Sequence, residues 1–339
     1  MPSPASRSTF CRASTASSGW PNASRVFFAR AASFADVHGY LTLRLTANWV
    51  SPTASADPTG LLDMTSRIWS GEILTAAAIG VRKLPRLARP GTQTGEITPL
   101  ASAQTGLSAG TPVIAGGGDG QRAGTGADIT APGRAYINLG TAVVAGSYGL
   151  GYAYNRAFRT ENAVSDDGYI YEMCIRTGTF LVDWMAREMF GADPAAQRKF
   201  LATLETEAAS SSIGSGGLVV LPYWLGCMNP YWDTYARGVI VGLSGSTKRG
   251  DIYRALLEGI ALEIAGQTND VVTATGVEIA QFVAIGGGSD SDLWRISWPT
   301  PRAGPFFARR PGKPRRSARP SQRPKARAGF AASPKRPQR

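Results

Sequence analysis

With 339 residues, 43% of them hydrophobic, the chain has material for a core and for two domains of ordinary size, yet no run reaches the eighteen or so apolar residues of a membrane span. The formal charge of +12 points to a polyanionic partner, but residues 296–339 hold 13 Lys and Arg and no acid while residues 36–295 hold 19 basic against 24 acidic residues, so nucleic acid is not favoured as a partner of the body. Cys11, Cys174 and Cys227 are far apart and show no CxxC spacing, which argues against a disulfide framework or a zinc site and makes a reducing cytoplasm the default, and the lone His38 removes most histidine-based chemistry.

In chain order, residues 1–33 carry Ser, Ala and Arg with neither a helical nor an alternating period and read as unstructured or out of frame. Phe34 to Trp49 suits a short helix interrupted at Gly39, Ile73 to Val81 a second helix ending near Gly80, and Thr98 to Thr105 a third, capped by Thr98 and closed before Gly106. Val113 to Ala115 reads as a short buried strand that runs into VIAGGGDGQ at residues 113–121. Three consecutive glycines cost backbone entropy and pack nothing, so they belong where the backbone takes a positive φ or passes close to something. Asp119 is then presented at the strand end; an Asp-Gly hairpin turn is the competing reading of the stretch alone.

The second half has a different texture. Ala135 to Gly146 is two β-rich runs around Leu139, Gly140 and Thr141, either a plain hairpin or one whose tip cradles phosphate oxygens with backbone N–H groups and a hydroxyl. Thr179 to Phe190 places Leu181, Trp184, Met185 and Met189 on one helical face. Gly214 to Trp224 is a glycine-led strand, and Asn229 to Leu243 a loop followed by another. Asp251 to Ala265 is the clearest helix, with Asp251 able to cap it, Ile252, Leu256, Ile260 and Ile264 recurring every four residues, and Gly266 where a closing glycine belongs. Phe282 to Ile285 is a strand followed at once by Gly286, Gly287, Gly288 and Ser289, a second strand-to-triple-glycine junction that reads as a helix start holding a ligand. Beyond Arg295 the Pro- and Arg-rich segment admits three readings: an out-of-frame stretch, plain disorder, or a functional basic arm.

GLSAGTPVIAGGGDGQ at 106–121, YINLGTA at 136–142, LPYWLGCMNPYWDTYARGVIVGLS at 221–244, RALLEGIALEI at 254–264 and FVAIGGGSDSDLWR at 282–295 follow one another in an order that resembles the FGGY family of carbohydrate kinases, the group of xylulokinase, ribulokinase and glycerol kinase. The resemblance spans Phe34 to Arg295. It implies an α/β, actin-like (RNase H-like) ATPase fold of two domains with ATP and sugar in the cleft between them. It implies that Asp119 matches the catalytic aspartate, which meets the sugar hydroxyl and takes its proton as it attacks the γ-phosphorus of Mg-ATP. Gly140 and Thr141 match the second phosphate motif, and Gly286, Gly287, Gly288 and Ser289 the adenosine motif. Gly178 falls near another nucleotide-contacting glycine, one residue out of step with Trp184. Phosphoryl transfer needs positioning and charge neutralisation more than covalent chemistry, which one carboxylate, backbone donors and Mg²⁺ supply.

The resemblance divides the chain into residues 1–33 outside the match, 34–131 as a remnant of the sugar-binding domain, 132–295 as the nucleotide-binding domain and 296–339 as a basic disordered tail. The family's Asp-x-Gly-Thr phosphate loop has no counterpart in Met1 to Phe34, and the strand and helices expected after Arg295 are replaced by the acid-free segment. The sequence is therefore expected to be truncated or frame-shifted at both ends and impaired as a kinase, with a pentulose such as xylulose the favoured substrate and a homodimer an open possibility. A degenerate, non-catalytic sugar-kinase relative or a basic-tailed nucleic-acid binder is the rival expectation.

Overall fold

A computed structural model describes residues 31–165, 167–296 and 307–309. The readings of residues 1–30 and of most of 296–339 lie outside the described residues. No helix among the described residues is long and apolar enough to cross a membrane.

The first unit is built from short pieces. Helix α1, Val37–Thr46, is capped by Asp36, whose side chain accepts from the Gly39 N–H. It is not interrupted at Gly39, as the sequence suggested. A Cβ there would lie 3.1 Å from Asp36 Oδ1 and 3.3 Å from Ser51 Cβ, so the glycine makes room for the cap and for close packing inside an intact helix. Strand β1, Val50–Pro52, leads into the buried turn α2, Thr53–Ala56, and then a 3-10 turn, Asp57–Thr59. Strands β2, Leu62–Asp63, and β3, Ile68–Trp69, form a small hairpin. Helix α3 spans only Gly71–Ala76, capped by Ser70, with a separate single turn at Val81–Lys83, so the second predicted helix is divided. Strand β4, Arg86–Ala88, pairs parallel with β1. Strand β5, Gln93–Glu96, is followed by helix α4, Pro99–Thr105. As predicted, Thr98 caps α4 by accepting from Ala101 N–H, and Gly106 closes it in the left-handed region. Strand β6, Pro112–Ile114, pairs antiparallel with β5. It is not the buried strand expected: Ile114 is half exposed, because a two-stranded ribbon covers only one of its faces.

The second unit carries a six-stranded sheet and a two-stranded ribbon. Helix α5, Asp119–Gly126, precedes strands β7, Arg134–Leu139, and β8, Val143–Gly149, the predicted hairpin. Strands β9, Arg159–Asn162, and β10, Tyr169–Ile175, follow. Then come helix α6, Thr179–Trp184, widening into a π-type turn at Met185–Met189, and helix α7, Gln197–Ala209. Leu181 and Met185 are fully buried, but the wider turn rotates Met189 off that face, and it is 41% exposed. Strands β11, Val219–Leu221, and β12, Val239–Val241, form a ribbon. Helix α8, Arg249–Thr275, strand β13, Gln281–Ile285, helix α9, Asp292–Ile296, and strand β14, Phe307–Arg309, complete the order.

The sheet runs β14-β13-β7-β8-β10-β9, with β13 parallel to both β7 and β14 and the other pairs antiparallel. Strand β14 lies inside the segment expected to be a disordered tail; pairing asks for backbone donors and acceptors, and Phe307, Ala308 and Arg309, none of them a proline, have both. One sheet face, with Ile137, Leu139, Val143, Ala145 and Met173, packs against Leu256, Leu257, Ile260 and Ile264 of α8. The other face, with Tyr136, Tyr148, Ile170 and Val283, packs against Ala123 and Ala127 at α5. Asp251 sits three residues inside α8, its Oδ2 accepting from Lys248 N–H at 2.8 Å. The helix does not stop at Gly266. It continues because Gln267, Thr268 and Val271 are buried, and it ends at Gly276 with φ 69°.

Candidate active site

The glycine run lies where the two units touch. None of Gly116, Gly117 and Gly118 has a positive φ, so the turn reading of the run gives way to the close-approach one. A Cβ on Gly117 would lie 2.6 Å from Val164 Cγ2 and 3.2 Å from Ala54 Cβ, one from each unit; on Gly116 it would lie 2.9 Å from Arg122 Nη2 and 3.1 Å from His38 Cε1. His38 is held by Ser55, Nδ1 to Oγ at 3.0 Å, and burial lowers its pKa.

Asp119 is not part of a hairpin: it is the first residue of α5, exposed, with Oδ1 accepting from Gly120 N–H at 3.0 Å. A carboxylate at this end of a helix is stabilised by the unpaired N–H groups of the first turn. Beneath it the backbone of Gly120 rests on oxygens. A Cβ there would lie 2.5 Å from Glu172 Oε2, 3.3 Å from Glu161 Oε2 and 3.5 Å from Tyr136 Oη. Arg159 reaches both carboxylates, with Nε to Glu172 Oε1 at 3.1 Å and Nη2 to Glu161 Oε1 at 3.0 Å.

The predicted nucleotide residues come together at the end of β7. Gly140 and Thr141 form the hairpin tip; Gly178 N–H donates to Thr141 O at 2.7 Å and Thr179 N–H to Gly140 O at 2.8 Å. A Cβ on Gly178 would collide with Gly140 O. Gly286 has φ 85°, and a Cβ there would collide with Asn138 Oδ1. A Cβ on Gly288 would lie 2.9 Å from Leu139 O, whereas Gly287 has open space around it, and Ser289 Oγ donates to Gly286 O at 2.6 Å. Three glycine turns, distant in sequence, therefore meet around residues 139–141, with backbone donors and the exposed Thr141 hydroxyl beside open space.

Asn138 was missed by the sequence reading. It shares the α5-facing side of β7 with Tyr136, two residues and about 7 Å earlier along the strand, and so joins the glycine turns to the Asp119 end of the site. The signal available was its position two residues before the tip glycine. Asp57, in a turn, was also missed, as were Arg159, Glu161 and Glu172, for which the signal was charge inside the strand segments RTEN and YIYEMCI. Among the described residues no group of three or more His, Cys, Asp and Glu could hold a metal ion. The donor set of one exposed carboxylate fits Mg²⁺ that arrives on phosphate oxygens, an ion that keeps waters and takes one or two carboxylates.

Asp57 joins the units. Its Oδ2 accepts from Asn162 N–H at 2.7 Å and from Asn162 Nδ2 at 3.3 Å, and its buried Oδ1 has no partner among the described residues. Loss of solvent pushes its pKa up from 3.8 to about 7, against the pull of the Asn162 hydrogen bonds. The folded state keeps a proton that the unfolded chain releases near pH 4, so this contribution to stability is whole below that pH and is lost as pH rises to about 7. Burial moves Glu161 and Glu263 in the same sense, while His38 opposes it in acid. Asp57→Asn is expected to flatten the fall in unfolding free energy between pH 4 and 7 by a few kcal/mol, at about 1.4 kcal/mol per pH unit. Urea titrations across that range measure it, and an unchanged slope would refute it.

Residues 122–296 match the C-terminal domain, and residues 22–126 the N-terminal domain, of the FGGY family of carbohydrate kinases. The chain is 28% identical over 272 residues to the xylulose kinase of Bacillus subtilis, covering 79% of this chain and 52% of that protein. It is 32% identical over 270 residues to the glycerol kinase of Symbiobacterium thermophilum, covering 75% of this chain and 50% of that protein. The crystal structure of the xylulose kinase from Rhodospirillum rubrum superposes with a TM-score of 0.72 at 27% identity, covering 79% of this chain and 54% of that one. The chain thus spans about half the length of the relatives it matches.

Proposed function

The chain belongs to the FGGY family of carbohydrate kinases, and from that premise we propose that it takes part in ATP-dependent phosphorylation of a sugar hydroxyl, in the cytoplasm, with a pentulose such as xylulose as the substrate class. The observation that carries the proposal is the meeting of three glycine turns at the end of β7, the strand on which Asn138 and the buried Tyr136 lead along one face to the Asp119 end of the site.

In this reading the N–H groups at Gly140–Thr141 and the Thr141 hydroxyl hold phosphate oxygens, and the turn at Gly286–Ser289 meets the adenosine. Gly178 lets the hairpin tip and the start of α6 close on each other, and Asn138 offers an amide between the two glycine turns. Asp119 accepts the proton of the attacking hydroxyl, for which a carboxylate needs only hydrogen-bond reach. Mg²⁺, when bound with the nucleotide, neutralises charge on the transferring phosphoryl group.

The test is sugar-dependent ADP release by the purified chain with Mg-ATP and a panel of xylulose, ribulose, glycerol and gluconate. The expected result is release that requires a sugar and is fastest with a pentulose. Failure of the chain to bind ATP, or ADP release indifferent to every sugar, would overturn the proposal.

A further inference from the structure

The pair of acids beneath Gly120 is used by no step of the proposed chemistry. Glu172 lies opposite Arg159 across the β9–β10 ladder, and Glu161 stands two residues from Arg159 on the same side of β9. Both carboxylates are buried, at 7% exposure for Glu161 and 4% for Glu172. One guanidinium serves both, and its Nε and Nη2 both go to Glu172 Oε1. Glu161 is left with a single ion-pair contact, and its Oε2 has no hydrogen-bond partner among the described residues. The Tyr136 hydroxyl, fully buried beside the same Gly120, is also without a partner there.

Two buried negative charges cannot share one positive charge without an uncompensated anion in a poorly solvated site, and a proton removes it. Burial, and then the charge of Glu172, push Glu161 out of the ordinary carboxylate range, with Arg159 pulling the other way. The charged and titratable groups around Glu161 are Arg159 on its own strand, Glu172 and Cys174 on β10, Tyr136 on β7, Asp119 on α5 and Asp57 of the first unit. Gly120 has no side chain to separate the first turn of α5 from these oxygens, so Asp119 sits one residue from the pair.

We propose that Glu161 and Glu172 are positioning residues for Asp119: together with Arg159 they hold one proton, and the uncharged trio so formed is the seat on which the first turn of α5 sets the carboxylate of Asp119. Loss of that proton places a second negative charge under Gly120 and displaces the Asp119 carboxylate by repulsion. The assignment rests on Asp119 being the base, but the seat itself can be observed without turnover.

The carboxyl carbons of the uniformly ¹³C-labelled full chain would be followed by NMR from pH 5 to 10, with the Asp119 resonance assigned by its loss in Asp119→Asn. The expected result is a step in the Asp119 resonance, above the usual carboxylate range, that is absent in Glu161→Gln, an amide of the same shape as the protonated acid. Glu172→Gln leaves Arg159 to Glu161 alone, and the step is expected to move to lower pH. An Asp119 resonance with no such step, a step that survives Glu161→Gln, or one that Glu172→Gln leaves in place would each overturn the proposal. If the chain phosphorylates a sugar, kcat of the unsubstituted protein should fall through the same step and that of Glu161→Gln should not, with KM for ATP unchanged. A step without phosphorylation would leave the seat standing and remove the kinase reading.

Discussion

Asp119→Asn is expected to lower sugar phosphorylation by about 10²–10⁴-fold, the range in which a positioned proton acceptor contributes, while ATP binding stays within about twofold. Asparagine has the volume of aspartate, and its carbonyl oxygen can still accept from Gly120 N–H, the contact that Asp119 Oδ1 makes at 3.0 Å. What it lacks is the affinity for a proton. The fold should register the change weakly, because an exposed carboxylate at a helix start contributes about 0.3–1 kcal/mol. Steady-state rates with saturating sugar, beside a nucleotide titration of the same preparation, measure both quantities. A variant that keeps its rate would move the base to another residue, and one that loses nucleotide binding as well would mean that Asp119 holds the ligand and is not its base.

Gly178→Ala should cost nucleotide affinity by at least about tenfold and stability by about 1–3 kcal/mol, the usual range for forcing a carbon into a filled site. The new Cβ would strike Gly140 O and lie 3.0 Å from Ala142 C, and both obstacles are backbone. Relief can come only by pushing the hairpin tip away from α6, which also breaks the hydrogen bonds of Gly178 and Thr179 to Thr141 and Gly140. Gly287→Ala is the internal comparison for stability, since no protein atom lies within 4 Å of its Cβ position. Urea unfolding of the two variants should therefore separate widely, nucleotide titration of Gly178→Ala measures the lost affinity, and equal unfolding would mean that the hairpin tip is too soft to matter.

The glycine turns were legible in the sequence because glycine is informative where a side chain would collide, and Gly117, Gly178 and Gly286 each meet that condition. The hairpin of β7 and β8 was legible because its apolar runs flank a tight tip. Helix α8 showed its start and hid its end: a glycine lowers helix propensity by about 1 kcal/mol, and burial of the following turn, through Gln267, Thr268 and Val271, outweighs that. Strands β9 and β10 were not read at all. Their Arg159, Glu161 and Glu172 meet one another inside the protein, and a buried ion group erases the alternation by which a strand is recognised. The same compensation hid the lower half of the site, since charge balance across two strands is a property of the folded sheet and of no single stretch of it.

Among the described residues strand β9 is the last strand of its sheet, and an outer strand offers unused backbone donors and acceptors to any other chain. Here the first unit shields it: Asp57 takes the Asn162 N–H, while Arg67 covers the Asn162 side chain and donates to the carbonyls of Asp167 and Gly168 just beyond. The short helices and ribbons of residues 31–118 thus act as a guard against strand-to-strand association between copies. Resistance to aggregation on warming should follow the local stability of that guard more closely than the stability of the larger core it protects.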